Sequence, residues 1–115
     1  MIQKLKDEMN EVIRLITIER KLERTKSTLE EINFVRELAD KKRYPRAEYV
    51  LARMYISGQG VSKDKTIAMK YLARSSRYAS YDLQLKIAYT YHMLGEYKKI
   101  KKCLEHAIED CKWMK

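Results

Sequence analysis

Three glycines and one proline among 115 residues are too few breakers for the many turns of a β-sandwich or barrel, which leaves a helical chain. With 45% hydrophobic and 36% charged residues it is not disordered, and no run approaches the roughly 20 apolar residues that cross a bilayer. The formal net charge of +9 is concentrated in residues 46–81, where seven basic side chains face two acidic ones and would favour an acidic partner.

The N-terminus, Met1-Ile2-Gln3-Lys4-Leu5-Lys6-Asp7-Glu8, has acids where a signal peptide would have its apolar core, which points to the cytoplasm. Over residues 2–24, Ile2, Leu5, Met9, Val12 and Ile16 recur at alternating spacings of three and four and define a helical stripe. Ile13, Leu15 and Ile18 widen that stripe, so this helix should be covered on more than one side. The seam is too short to define a coiled coil, yet it offers a route to a homodimer through the N-terminal helix.

Ser27-Thr28-Leu29-Glu30 has the form of a capping box, with the serine accepting from the backbone three residues on and the glutamate reaching back. A second helix should follow over about residues 28–42, with Leu29, Ile32, Val35, Leu38 and Ala39 on one face and Lys41-Lys42-Arg43 at the negative end of its dipole. Pro45 disfavours helix at Tyr44 and suits the start of a third helix, which Ser57-Gly58-Gln59-Gly60 stops. A fourth helix begins near Lys63-Asp64 and runs to about Tyr78, a fifth spans Asp82 to Leu94, and Gly95 separates it from a sixth over residues 97–112. The expected fold is all-α, with about six antiparallel helices in three pairs.

The chain also repeats itself. A shift of 36 residues aligns Leu51, Ala52 and Tyr55 with Ile87, Ala88 and Tyr91. A shift of 32 aligns Leu72 with Leu104 and Ser75 with Ala107, the difference falling in a turn, where repeats tolerate length change. Small residues at Ala52 and Ala68 let two helices approach closely, and Gly58 and Gly60 admit backbone angles that a β-carbon obstructs. Val61 can plug the loop onto the core, and Asp64 can cap the following helix.

Together with Ala47, Tyr55, Tyr71 and Ser75-Ser76 at their fixed spacings, these residues make the chain resemble the Sel1-like repeat, a relative of the tetratricopeptide repeat. The likeness is strong over residues 47–78 and weaker over 79–110, where the glycine-rich loop is missing and Leu94-Gly95-Glu96-Tyr97 looks more like a tetratricopeptide turn. The family favours glycine where Ala52 stands and alanines where Ser75-Ser76 stand, and Ile100 occupies a position that prefers a small residue. The resemblance implies an α-α superhelix: an N-terminal helical hairpin over 1–45 (a cap or degenerate repeat), a Sel1-like unit over 46–78 and a Sel1- or tetratricopeptide-like unit over 79–112.

Proteins of this kind generally act as scaffolds or adaptors, holding a partner on the concave surface lined by the first helix of each pair. The resemblance therefore implies a protein-protein interaction module, an adaptor or inhibitor; the basic middle segment points to a partner with an acidic surface, and the lack of a catalytic grouping argues against an enzyme. On those first helices, Arg46, Tyr49, Arg53 and Ile56 in one unit and Asp82, Leu85, Tyr89, His92 and Met93 in the other point away from the packing face. Arg46, Tyr49, Arg53, Tyr89 and His92 are the candidate binding residues, tyrosine and arginine being frequent interface anchors.

No cofactor or metal is expected. His92 and His106 lie fourteen apart with no cysteine or carboxylate at ligand spacing to both, and neither a nucleophile–base grouping nor a P-loop occurs. Cys103 and Cys111, eight apart in one helix, would stand roughly 12 Å apart, too far for a disulfide. Cys103 should pack structurally, while the role of Cys111 stays open. Nine tyrosines against one phenylalanine suit half-exposed helix surfaces, with Tyr55, Tyr71 and Tyr91 at or near the core.

Nucleic acid is the alternative partner: Lys41-Lys42-Arg43-Arg46 and Lys98-Lys99-Lys101-Lys102 could follow a phosphate backbone, with Tyr97 stacking on a base. Against it, the lysines of the last helix spread around its circumference and are partly balanced by Glu96, Glu105 and Glu109. A self-assembling structural subunit is the third possibility.

Overall fold

The structure, a computed structural model, describes the backbone of residues 1–112 and the side chains of residues 1–109. Cys111 lies outside the residues whose side chains are described. Six helices follow one another: α1 (Ile2–Lys21), α2 (Leu29–Asp40), α3 (Pro45–Ser57), α4 (Lys65–Ser76), α5 (Tyr81–Met93) and α6 (Tyr97–Lys112). No strand occurs among the described residues, and none of the helices is long and apolar enough to cross a membrane.

The helix starts follow local chemistry. Pro45 opens α3 at the first turn, where its missing N–H is no loss. Asp64 accepts from the Ile67 N–H at 3.1 Å and Ser80 from Leu83 at 3.4 Å, satisfying donors that α4 and α5 would otherwise leave free. The capping box at α2 sits one residue later than expected. Thr28 accepts from Glu31 N–H at 3.1 Å and the Glu31 carboxylate accepts from Thr28 N–H at 3.0 Å, while Ser27 is buried behind them.

Helix α3 is the centre of the molecule. It is enclosed by α2 and α4, and its Ala47, Val50, Leu51, Ala52 and Met54 are without solvent access. Ala68 on α4 and Ala88 on α5 are buried as well, and the closest helix contacts are α3 with α4 and α5 with α6. Polar side chains then tie the layers. Arg74 of α4 donates through Nε to the buried Glu48 of α3 at 2.9 Å, and through Nη2 to the Ala39 carbonyl of α2 at 2.9 Å. Its Nη1 reaches Asp40 at 3.2 Å, and Tyr71 donates to the same carboxylate at 3.0 Å. Tyr55 and Tyr71 stack with centroids 6.3 Å apart, their rings half-buried and their hydroxyls in hydrogen bonds, as the tyrosine-rich composition leads one to expect. Tyr91 and Cys103 are buried, and burial pushes the Tyr91 phenol up to about 12.

Two expectations change. Leu15, Ile18 and Leu22 enter the core, but Ile2, Leu5, Met9, Val12 and Ile13 remain exposed, so the apolar stripe of α1 is covered only over its second half. The reason is length. At about 1.5 Å per residue, α1 with its 20 residues overhangs the 12- and 13-residue helices beneath it. In α6, Leu104 is exposed although its counterpart Leu72 is fully buried, because α4 is flanked by α5 and nothing among the described residues flanks α6 in that way.

The glycine-rich turn is set by close approach as well as by backbone sign. Gly58 and Gly60 have φ of +71° and +77°. A β-carbon at Gly60 would lie 2.3 Å from Ile32 Cδ1 and 2.9 Å from the Ser27 carbonyl oxygen, which cannot swing away. Gly95 shares the backbone sign, at +76°, but faces open space. Gly60→Ala should therefore destabilise the fold by about 2–4 kcal/mol, strain and overpacking together, against about 1 kcal/mol for Gly95→Ala. Urea unfolding of the two variants beside the parent measures the difference.

Candidate functional site

The second half of α1 does more than cover an end. It lies across α3 and reaches α5, and its pairings advance in step with α3: Glu19 meets Arg46, and Glu23 meets Arg53. Glu19 accepts from Arg46 Nε at 2.8 Å and from Lys86 Nζ, on α5, at 3.0 Å. Glu23 holds Arg53 more loosely, at 3.4 Å, and is itself largely exposed. The α1 end also accepts from the turn after α3, through Gln59 Nε2 to the Leu22 carbonyl at 2.8 Å. Three first helices thus border one open cleft of about 720 Å³.

The walls of this cleft divide by chemistry. On α5, Leu85, Tyr89 and Met93 follow one another at intervals of four and are 39%, 57% and 68% exposed, an uncovered apolar ridge. Opposite them on α3, the Arg53 guanidinium sits 5.7 Å from the Tyr49 ring centroid, beside Ile56. Leu22 and Glu23 of the α1 end and Lys86 and Thr90 of α5 complete the rim.

The structure brings together Tyr49, Arg53, Ile56, Leu85, Tyr89 and Met93, and leaves Arg46, Asp82 and His92 outside the lining. Tyr49 is only 5% exposed, so its ring is a floor and not a projecting anchor. Arg46 is engaged by Glu19 through two hydrogen bonds. His92 is exposed elsewhere, edge-on to Tyr97 at 5.6 Å. Sequence reasoning missed Glu23 and Lys86. The available signal was spacing: Glu19 and Glu23 share a helix face, and Lys86 lies on the same side of α5 as Tyr89 and Met93. Among the described residues no three histidine, cysteine, aspartate or glutamate side chains are grouped to hold a metal ion.

Burial opposes the charge on Glu19, but the hydrogen bonds and charges of Arg46 and Lys86 outweigh it and hold the carboxyl below its ordinary 4.5. In Glu48 the balance is reversed: burial wins over Arg74 and pushes the carboxyl up.

Compared with known proteins, the chain matches no family model, no curated protein and no solved structure.

A glutamate with a lowered folded value stabilises the fold above its unfolded value and loses that contribution as pH falls through the folded one. Glu19→Gln should cost roughly 1–2 kcal/mol near neutral pH, since two charge-assisted hydrogen bonds weaken while solvent still screens part of the loss. The gap between variant and parent should narrow as pH falls below the ordinary 4.5 and close only once it has passed below the lowered folded value, where Glu19 is protonated in both states. Urea titrations at neutral and acid pH read both effects.

Proposed function

We propose that this chain is a protein-binding module of the Sel1-like, tetratricopeptide-related kind, an adaptor or inhibitor that works in the cytoplasm and carries out no catalysis. Its partner contributes an apolar segment with at least one acidic residue, taken up in the cleft bordered by α1, α3 and α5. The observation that carries this is the ridge Leu85–Tyr89–Met93, exposed inside a concavity and not on a convex surface, facing an arginine stacked on a tyrosine. An amphipathic helix presenting side chains at intervals of three and four would match a ridge with that spacing. Arg53 is the cation open to exchange: its present partner Glu23 is long and largely exposed, whereas Arg46 is committed to Glu19. An acidic side chain arriving with the partner could displace Glu23 without uncovering a buried charge.

A second surface supports self-association. Ile2, Leu5, Met9 and Val12 form an uncovered stripe on α1 that a second copy could bury. It would be disrupted by Leu5→Lys with Met9→Lys. Light scattering at micromolar concentration should read a dimer for the parent and a monomer for that variant; a monomeric parent removes this route. Deleting residues 1–26 is not an equivalent test, because Leu15, Ile18 and Leu22 belong to the core.

For the groove, the full chain serves as bait in its native cell extract, with captured proteins identified by mass spectrometry. Tyr89→Ala with Met93→Ala should reduce capture of a specific partner about 30-fold or more, as expected for two interface anchors, while Lys70→Ala leaves it unchanged. Capture should persist as salt is raised. A partner set indifferent to the Tyr89 and Met93 substitutions, in variants that keep the parent's melting temperature, places binding elsewhere.

A further inference from the structure

We propose that a second cleft, between α4 and α6, binds a small anion carrying several phosphates. It measures about 440 Å³ and shares no lining residue with the cleft of α3 and α5. Arg77 from the end of α4 and Lys98, Lys99 and Lys102 from the start of α6 surround it, with His106 beside them and Arg74 behind. Among the described residues no carboxylate lines it.

Three features single out this cluster. In the cluster Lys41-Lys42-Arg43-Arg46, by contrast, three of the four cations are ion-paired within the fold, Lys41 with Glu37, Lys42 with Glu11 and Arg46 with Glu19, and only Arg43 has no ion-pair partner among the described residues. Arg77, Lys98, Lys99 and Lys102 have no ion-pair partner among the described residues. Lys98 and Lys102 are also four apart on one helix, where like charges repel, and they sit in the opening turns of α6, at the positive end of its dipole and with no acidic residue in the first turn. The placement of Lys98 and Lys102 is locally unfavourable on both counts, and it coincides with Arg77 and Lys99 at one concavity. Local rules broken together mark a place shaped for a ligand.

The ligand's class follows from charge and size. Four unpaired cations around one small volume call for a ligand with several closely spaced negative charges, and guanidinium and ammonium groups together suit phosphate oxygens. A long nucleic acid needs a continuous basic track. Here the other basic cluster lies in the α2–α3 turn and the first turn of α3, and three of its four cations are already ion-paired, which favours a compact ligand held at the cleft itself.

Inorganic tripolyphosphate is the first probe, titrated calorimetrically into the full chain near physiological salt, with a nucleoside triphosphate as the second. Saturable binding with one site per chain is expected. Lys98→Glu with Lys102→Glu should weaken it about 100-fold or more, because two charge-assisted hydrogen bonds give way to two repulsive charges. Lys101→Glu, on the same helix but outside the lining, should weaken it less than about threefold through general electrostatics alone. In the unsubstituted chain, bound tripolyphosphate should shield Lys98, Lys99 and Lys102 from amine acylation and leave Lys101 and Lys70 reactive. Tighter binding of the nucleoside triphosphate would assign the phosphates to a nucleotide; equal binding would assign them to the phosphate chain itself. Equal weakening in the Lys101 and Lys98/Lys102 variants, no saturable binding, or an oligonucleotide that tripolyphosphate fails to displace would each overturn the proposal.

Discussion

Among the polar contacts of the first helix, the carboxylate of Glu19 is the one that joins it to two other helices at once. Its two cations come from α3 and α5, 27 and 67 residues further along the chain. Removing either would leave a largely buried charge with half its compensation, so the three helices are held in one arrangement by the need to satisfy it. Hydrophobic burial of Leu15, Ile18 and Leu22 supplies most of the attraction but is non-directional. The ionic contact selects which face of α1 meets which part of the groove. Arg74, with Glu48 and Asp40, acts in the same way for α2, α3 and α4.

Charge read from sequence and charge seen in space differ for this reason. Residues 46–81 carry a marked basic excess, and α3 belongs to that segment. Yet the cations that border the α3–α5 groove are matched by acids from α1, whereas Arg77 joins lysines of α6 around a separate cleft. The groove is thus distinguished by its apolar ridge, and the molecule's surplus positive charge is expressed elsewhere. Composition records how many charges exist; only packing decides which of them meet.

Local features were the legible ones. Pro45, Gly58 and Asp64 each act within a few residues of themselves, and the helices they bound appear with ends shifted by one to a few residues. The alternation of apolar positions marked the buried faces of α2 and α3, including Val35, Leu38 and Leu51, but not Leu29, which stands at the start of α2 and is exposed. What the sequence did not disclose depends on distance along the chain. Tyr49 was expected to project because it lies off the intra-pair face, but α3 is packed on several sides and the ring is enclosed. Thr28 supplies the cap in place of Ser27, which the turn buries with its hydroxyl unpartnered among the described residues. The reach of Gln59 and Lys86 to α1 had no sequence-local trace.

The overhang of α1 has a consequence for its backbone. Residues 1–10 are exposed throughout, and the first tertiary tie comes at Glu11, bonded to Lys42 at 2.8 Å. A stretch of that length is a poor helix in isolation, because the initiating turn is improbable in water. Here the turn is already formed by the anchored residues that follow, and each added residue merely extends it. The arm is therefore a helix by propagation: it can fray and rewind from its N-terminal side without disturbing the packed layers, and its amide protons should exchange in a gradient that steepens where the anchored portion begins.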